Sequence, residues 1–129
     1  MLFGFDGYIT VVGNWKCANY ADNIDIDDAS IYYFSMTFND DKSYSQVSFS
    51  DSTNSFSITG SYVEEKNGKF SANLKGYVDV YMVTESVIKN GKVDSSAYKT
   101  HYLIGISKDN NKAIVSDIQN DLSYVCRKY

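Results

Sequence analysis

One histidine, two cysteines and one arginine are the chemically active side chains that stand out in this 129-residue chain. His101 sits between Thr100 and Tyr102 on the side of its strand expected to face solvent, and no acid or nucleophile lies at a recognisable spacing from it. Triads of Ser or Cys with His assemble in space rather than in sequence, yet no pattern here announces one. One His and two distant Cys cannot complete a structural zinc site without carboxylates. Asp22, Asp25, Asp27 and Asp28 crowd a single stretch, but they lack the alternating acids, central glycine and distal glutamate of a Ca²⁺ loop, so a solvated loop is expected there and no metal. Neither G-x-x-x-x-G-K-[ST] nor G-x-G-x-x-G occurs. No catalytic residue and no cofactor is therefore expected, and an enzyme is disfavoured. Arg127 remains as the one planar fork able to grip a carboxylate or phosphate through two bonds.

These side chains must be placed by strands. No window sustains apolar spacing at i, i+3, i+4 and i+7, whereas period-two alternation recurs from Tyr8 onward. Tyr and Phe, with 12 and 7 copies, join Val, Ile and Thr as side chains that suit a pleated, half-buried surface, and the absence of proline interrupts no strand. Strands are expected near residues 8–18, 30–38, 43–50, 55–65, 69–83, 97–107, 112–118 and 122–128. The clearest is 69–83, with Phe70, Ala72, Leu74, Gly76, Val78, Val80 and Met82 on the inner face and Gly76 as a kink that closes a barrel. Asn67-Gly68 before it and Asn90-Gly91 after it fit the positive φ angles of type I′ hairpin turns. Elsewhere the alternation directs Ile9, Val11, Trp15, Tyr32, Phe34, Met36 and Phe38 inward, then Val47, Phe49, Phe56, Ile58 and Tyr62, and finally Tyr102, Ile104, Ile106, Ile114 and Ile118. The expected fold is all-β: a single domain over residues 1–129 forming an antiparallel, up-and-down, eight-stranded barrel, favoured over a sandwich because closure removes exposed edges.

Gly13-Asn14-Trp15 in the first strand resembles the G-x-W of the lipocalins and the related fatty-acid-binding proteins, the calycin barrels. In those families the Trp plugs one end of the barrel and a basic residue near the C-terminus packs over it. The resemblance implies that Gly13, Trp15 and Arg127 form the barrel closure, with Arg127 over the Trp15 ring. Arg127-Lys128-Tyr129 is similar to the R-x-Y ending of the fatty-acid-binding proteins, which implies that Arg127 and Tyr129 point inward and hold a ligand's polar end. The 13 residues of 18–30 show no helical period, so the two-helix lid of that family is absent, and so is the T-D-Y-type turn of many lipocalins. Strand parity couples these expectations to the cysteines. If Trp15 and Arg127 point inward, Cys17 is inside, Cys126 outside, and the two cannot bridge; a Cys17–Cys126 disulfide would turn Arg127 outward.

With a formal net charge of -4 and basic residues that do not cluster, neither a nucleic acid nor a membrane is an expected partner. Met1-Leu2-Phe3-Gly4-Phe5 has no basic flank and is too short for a signal h-region, so a cytoplasmic protein with free thiols is expected, secreted if a native signal was removed. Two functions fit. The first is a non-enzymatic binding protein that holds a small apolar or amphipathic molecule in a lumen lined by Tyr32, Phe34, Met36, Phe56, Tyr62, Met82 and Tyr102, with Arg127 and Tyr129 at its polar end. The second is a protein-interaction module of the protease- or effector-inhibitor type, using loops and the outward tyrosines Tyr33, Tyr44, Tyr77 and Tyr81.

Overall fold

A computed structural model describes residues 9–19, 33–48, 55–68, 71–94 and 98–129. Nine strands are present among them: β1 Gly13–Asn19, β2 Phe34–Phe38, β3 Ser43–Ser48, β4 Phe56–Asn67, β5 Leu74–Lys89, β6 Lys92–Asp94, β7 Tyr98–Ser107, β8 Lys112–Asp117 and β9 Leu122–Lys128. Each pairs antiparallel with its sequence neighbour except that β7 follows β5 in the sheet, with the short β6 appended to the end of β5. The β1–β9 pairing closes the sheet into an eight-stranded up-and-down barrel, as the alternation predicts. Tyr32, Phe49 and Phe70, and the acidic run Asp22–Asp28, lie outside the described residues.

The lower end of the barrel is plugged. Residues 9–12 are not in a strand, and β1 begins at Gly13, whose φ of +144° only glycine adopts readily. Glu64 pins the segment before it by accepting from the Val11 amide (3.0 Å) and the Thr10 hydroxyl (2.7 Å). Trp15, 2% exposed, donates its indole N–H to the Val11 carbonyl at 2.9 Å. Above this plug Met36, Phe38, Val78, Val80, Ile104, Ile106 and Val115 fill the lumen.

Gly76 lies at the expected irregularity. The register slips between Leu74 and Gly76, and a Cβ on Gly76 would sit 2.2 Å from the Cδ1 of Ile9. The Asn90-Gly91 turn also forms as expected, with φ of 51° and 80°. Its counterpart does not: β4 runs through Asn67, which pairs with Tyr77, so the link to β5 is longer than two residues. The Asn67 amide holds the strand by donating to the Asp79 carboxylate at 2.7 Å. Ala72, expected inward, is exposed in the turn that precedes β5.

Two strands have the opposite parity to that expected. In β3, Tyr44 and Gln46 face inward and Val47 is 40% exposed, because Tyr44 stacks on Phe38 (6.1 Å between centroids) and bonds Thr84 through its hydroxyl. In β8, Ala113, Val115 and Asp117 face inward, leaving Ile114 and Ile118 exposed. Ala113 pairs directly with Cys126, and this crowded position beside a buried disulfide suits a methyl group better than a branched chain.

Candidate functional site

The two cysteines decide which side chains enter the lumen. Cys17 and Cys126 are direct partners across the β1–β9 seam, both at 0% exposure, and they form a disulfide. Free thiols, the expectation from sequence, are thereby corrected, and parity carries the consequence. With Cys126 inside, Arg127 and Tyr129 turn to the outer face, where Tyr129 is 60% exposed beneath the Lys16 ammonium. The inward clamp expected of Arg127 and Tyr129 is not formed. The cation over Trp15 is Lys128, paired with it across the seam and 5.0 Å from its ring centroid. Its side chain also crosses Gly13, where a Cβ would meet the Lys128 Cε at 3.0 Å.

Space remains at the upper end, where a cavity of about 280 Å³ opens. Phe56, Ile58 and Met82 give it an apolar wall, and Tyr44, Tyr98 and Tyr102 bring three phenol rings. Gln46, Thr100, Asp117 and Asn120 add polar groups, with the exposed Lys89 at the rim. Of the expected lining residues, Phe56, Met82 and Tyr102 are here. Phe34 and Met36 are instead packed in the core, and Tyr62 points to the other end, donating to the Asn39 carbonyl at 2.8 Å.

The polar lining is fixed by its own partners. Tyr44 and Thr84 share a hydrogen bond of 2.8 Å, and the Gln46 side chain faces the Tyr102 hydroxyl. Asp117, only 6% exposed, accepts from the amides of Gln119 (3.1 Å) and Asn120 (3.2 Å) and from the Asn120 side chain (2.9 Å), tying down the β8–β9 turn. Burial pushes the phenol pKa of Tyr102 well above the ordinary value, helped by Tyr124 and Asp117 and opposed by the Gln46 side chain. Burial likewise raises Tyr44, against the Thr84 bond, and Tyr124, with Asp117 adding to it.

A pH dependence follows. A phenol whose folded pKa is raised holds its proton more tightly in the folded state, so its contribution to stability is complete below the unfolded value of 10.0 and is lost as pH rises through the folded pKa. Denaturant midpoints should therefore fall between about pH 9.5 and 11, and Tyr102→Phe should flatten that decline. A midpoint that does not change over that interval, or an unaltered slope in the variant, would contradict the assignment.

His101 is on the outer face as expected, half-buried, but it is not isolated. It contacts Asp79 Oδ1 at 2.8 Å and stacks on Tyr81, with ring centroids 4.4 Å apart. Asp79 lies diagonally across the β5–β7 pair, so only the strand register brings the two together. Among the described residues no cluster of His, Cys, Asp and Glu could hold a metal ion.

No protein-family model, no curated protein and no solved structure matches the chain. What the cavity does must follow from its own walls.

Proposed function

We propose that this protein is a non-enzymatic, lipocalin-like binding protein that holds one small amphipathic molecule in the upper cavity of its barrel. The observation that carries the reading is the half-filled lumen: plugged below by Trp15 and its neighbours, open above, and walled there by apolar and hydrogen-bonding groups. At about 280 Å³ the cavity falls just below the range for drug-sized ligands, which points to a molecule of one ring with a short arm rather than a long acyl chain. The lipocalin resemblance supports this through the closed end, where a cation does pack over Trp15 even though it is Lys128. The buried disulfide favours an oxidising compartment, hence a secreted protein over a cytoplasmic one.

A fragment screen by NMR tests the reading. Hits should shift the amides of Tyr98, Thr100 and Tyr102, and Ile58→Trp, which fills the cavity, should abolish them in a folded protein. A screen with no hit mapping to the cavity would overturn it. The interaction-module reading draws on the outer face instead, where Val63, Tyr81 and Val83 are exposed around a groove of about 470 Å³. Hits confined to that groove would favour it. Of the four tyrosines expected as anchors, Tyr33 and Tyr81 are exposed, Tyr77 is half-buried and Tyr44 is in the core.

A further inference from the structure

We propose that the ligand of the upper cavity is a small organic cation, an amine or quaternary ammonium carried on an apolar or aromatic body. The inference rests on the reading of this cavity as a ligand site and names the chemistry the site would select.

Four aromatic rings, those of Tyr44, Phe56, Tyr98 and Tyr102, are set around the same space. An aromatic ring carries negative electrostatic potential on its π faces, and several rings around one space attract a cation, most strongly where water is excluded. A carboxylate adds to this. Asp117 belongs to the cavity wall, is nearly fully buried, and is held in place by three hydrogen bonds from its own turn. A charge fixed in a low-dielectric setting acts on an incoming ligand far more strongly than one in water.

The one basic group on the cavity wall among the described residues is Lys89, which is exposed at the rim. Its field is screened by water and salt in a way that the field of Asp117 is not. Burial first, and Asp117 in a smaller part, hold the Tyr102 phenol in its neutral form. An added anion would meet the same carboxylate, whereas a cation would be drawn to it. The arginine that could have held a carboxylate inside the barrel is on the outer face, removed by the parity of the disulfide.

Three probes of one shape, measured on the intact chain by titration calorimetry, separate the outcomes: phenethylammonium, 2-phenylethanol and phenylacetate. The ammonium should bind at least about tenfold more tightly than the alcohol, as expected for cation–π contacts in a desolvated site, and the carboxylate most weakly. Asp117→Asn should lower ammonium affinity about tenfold and leave the alcohol within about twofold. Should that change loosen the β8–β9 turn, Tyr98 supplies an independent reading, since it is 45% exposed and structurally undemanding. Tyr98→Leu should weaken the ammonium about fivefold, more than the alcohol, and Tyr98→Phe should restore it. Equal binding of ammonium and alcohol, or tightest binding of the carboxylate, would overturn the cation inference while leaving the cavity a ligand site. If none of the three binds, both readings fail.

Discussion

Replacing Cys17 and Cys126 together by alanine is expected to remove about 3 to 4 kcal/mol of folding stability. The bridge spans a sequence separation of 109 and so ties together the two ends of the described chain. A cross-link over so long a loop greatly restricts the unfolded ensemble, by about 4.7 kcal/mol at a loop of roughly 100 residues in the chain-entropy view, although measured losses run at about 2 to 5. Position adds to length. The disulfide lies on the seam between β1 and β9, the one pairing that joins first strand to last, and both sulfur-bearing side chains are fully buried. Without it the barrel is held shut there by backbone pairing and the packing of Trp15 under Lys128. A domain of ordinary stability, about 5 to 15 kcal/mol, would lose a large share. Guanidinium denaturation of the double variant against the oxidised parent measures the difference. A loss below about 1 kcal/mol would mean that the seam is held mainly by its other contacts.

The barrel was legible because strand alternation is a local signal, repeated along the chain and interrupted by turn residues such as Asn90-Gly91. What was not legible depends on partners far away in sequence. Hydrophobicity alone sends Val47 inward, and the structure sends Tyr44 and Gln46, because Tyr44 finds a hydrogen-bonding partner in Thr84 and Gln46 faces the Tyr102 hydroxyl. Ile114 was a stronger core candidate than Ala113 until the disulfide occupied the neighbouring position. The cavity shows the same division. Phe56, Met82 and Tyr102 could be read from alternation, but Asp117 enters only through the reversed parity of β8, and Lys89 only through the extra residue Glu85 in β5. Tyr98 and Thr100 share the parity of Tyr102 and lie within the strand expected over 97–107, so the same alternation that singled out Tyr102 already directed them inward. The cysteines are the most instructive case, since parity already tied an outward Arg127 to a disulfide and left open which of the two linked arrangements holds.

Gly60 marks where those distant partners meet, and Gly60→Ala is expected to cost about 3 kcal/mol, the upper end of the range for overpacking. Tyr44 pairs with Gly60 across β3 and β4, and its ring passes over the glycine to reach Thr84 on β5. A Cβ on residue 60 would sit 2.1 Å from the Val83 carbonyl oxygen and 3.0 Å from both the Thr84 Cα and the Tyr44 Cε1. The first two of these are backbone atoms, which cannot swing aside as a side-chain tip would. Relief therefore requires β4 and β5 to separate, at the very place where their register already slips: Thr59 pairs with Ser86, Gly60 with Thr84, and Glu85 is left over. Separation stretches the Tyr44–Thr84 bond, and Thr84 is wholly buried, so its hydroxyl would lose its partner without gaining water. Gly68→Ala is the matched control, because a Cβ there meets nothing within 4 Å, and it should change stability by no more than about 0.5 kcal/mol. Equal stability of the two variants in urea would show that β4 and β5 accommodate the methyl group. If they do not, the damage should extend to the cavity, since Tyr44 is one of its walls, and Gly60→Ala should weaken an aromatic probe even at temperatures where the barrel remains folded.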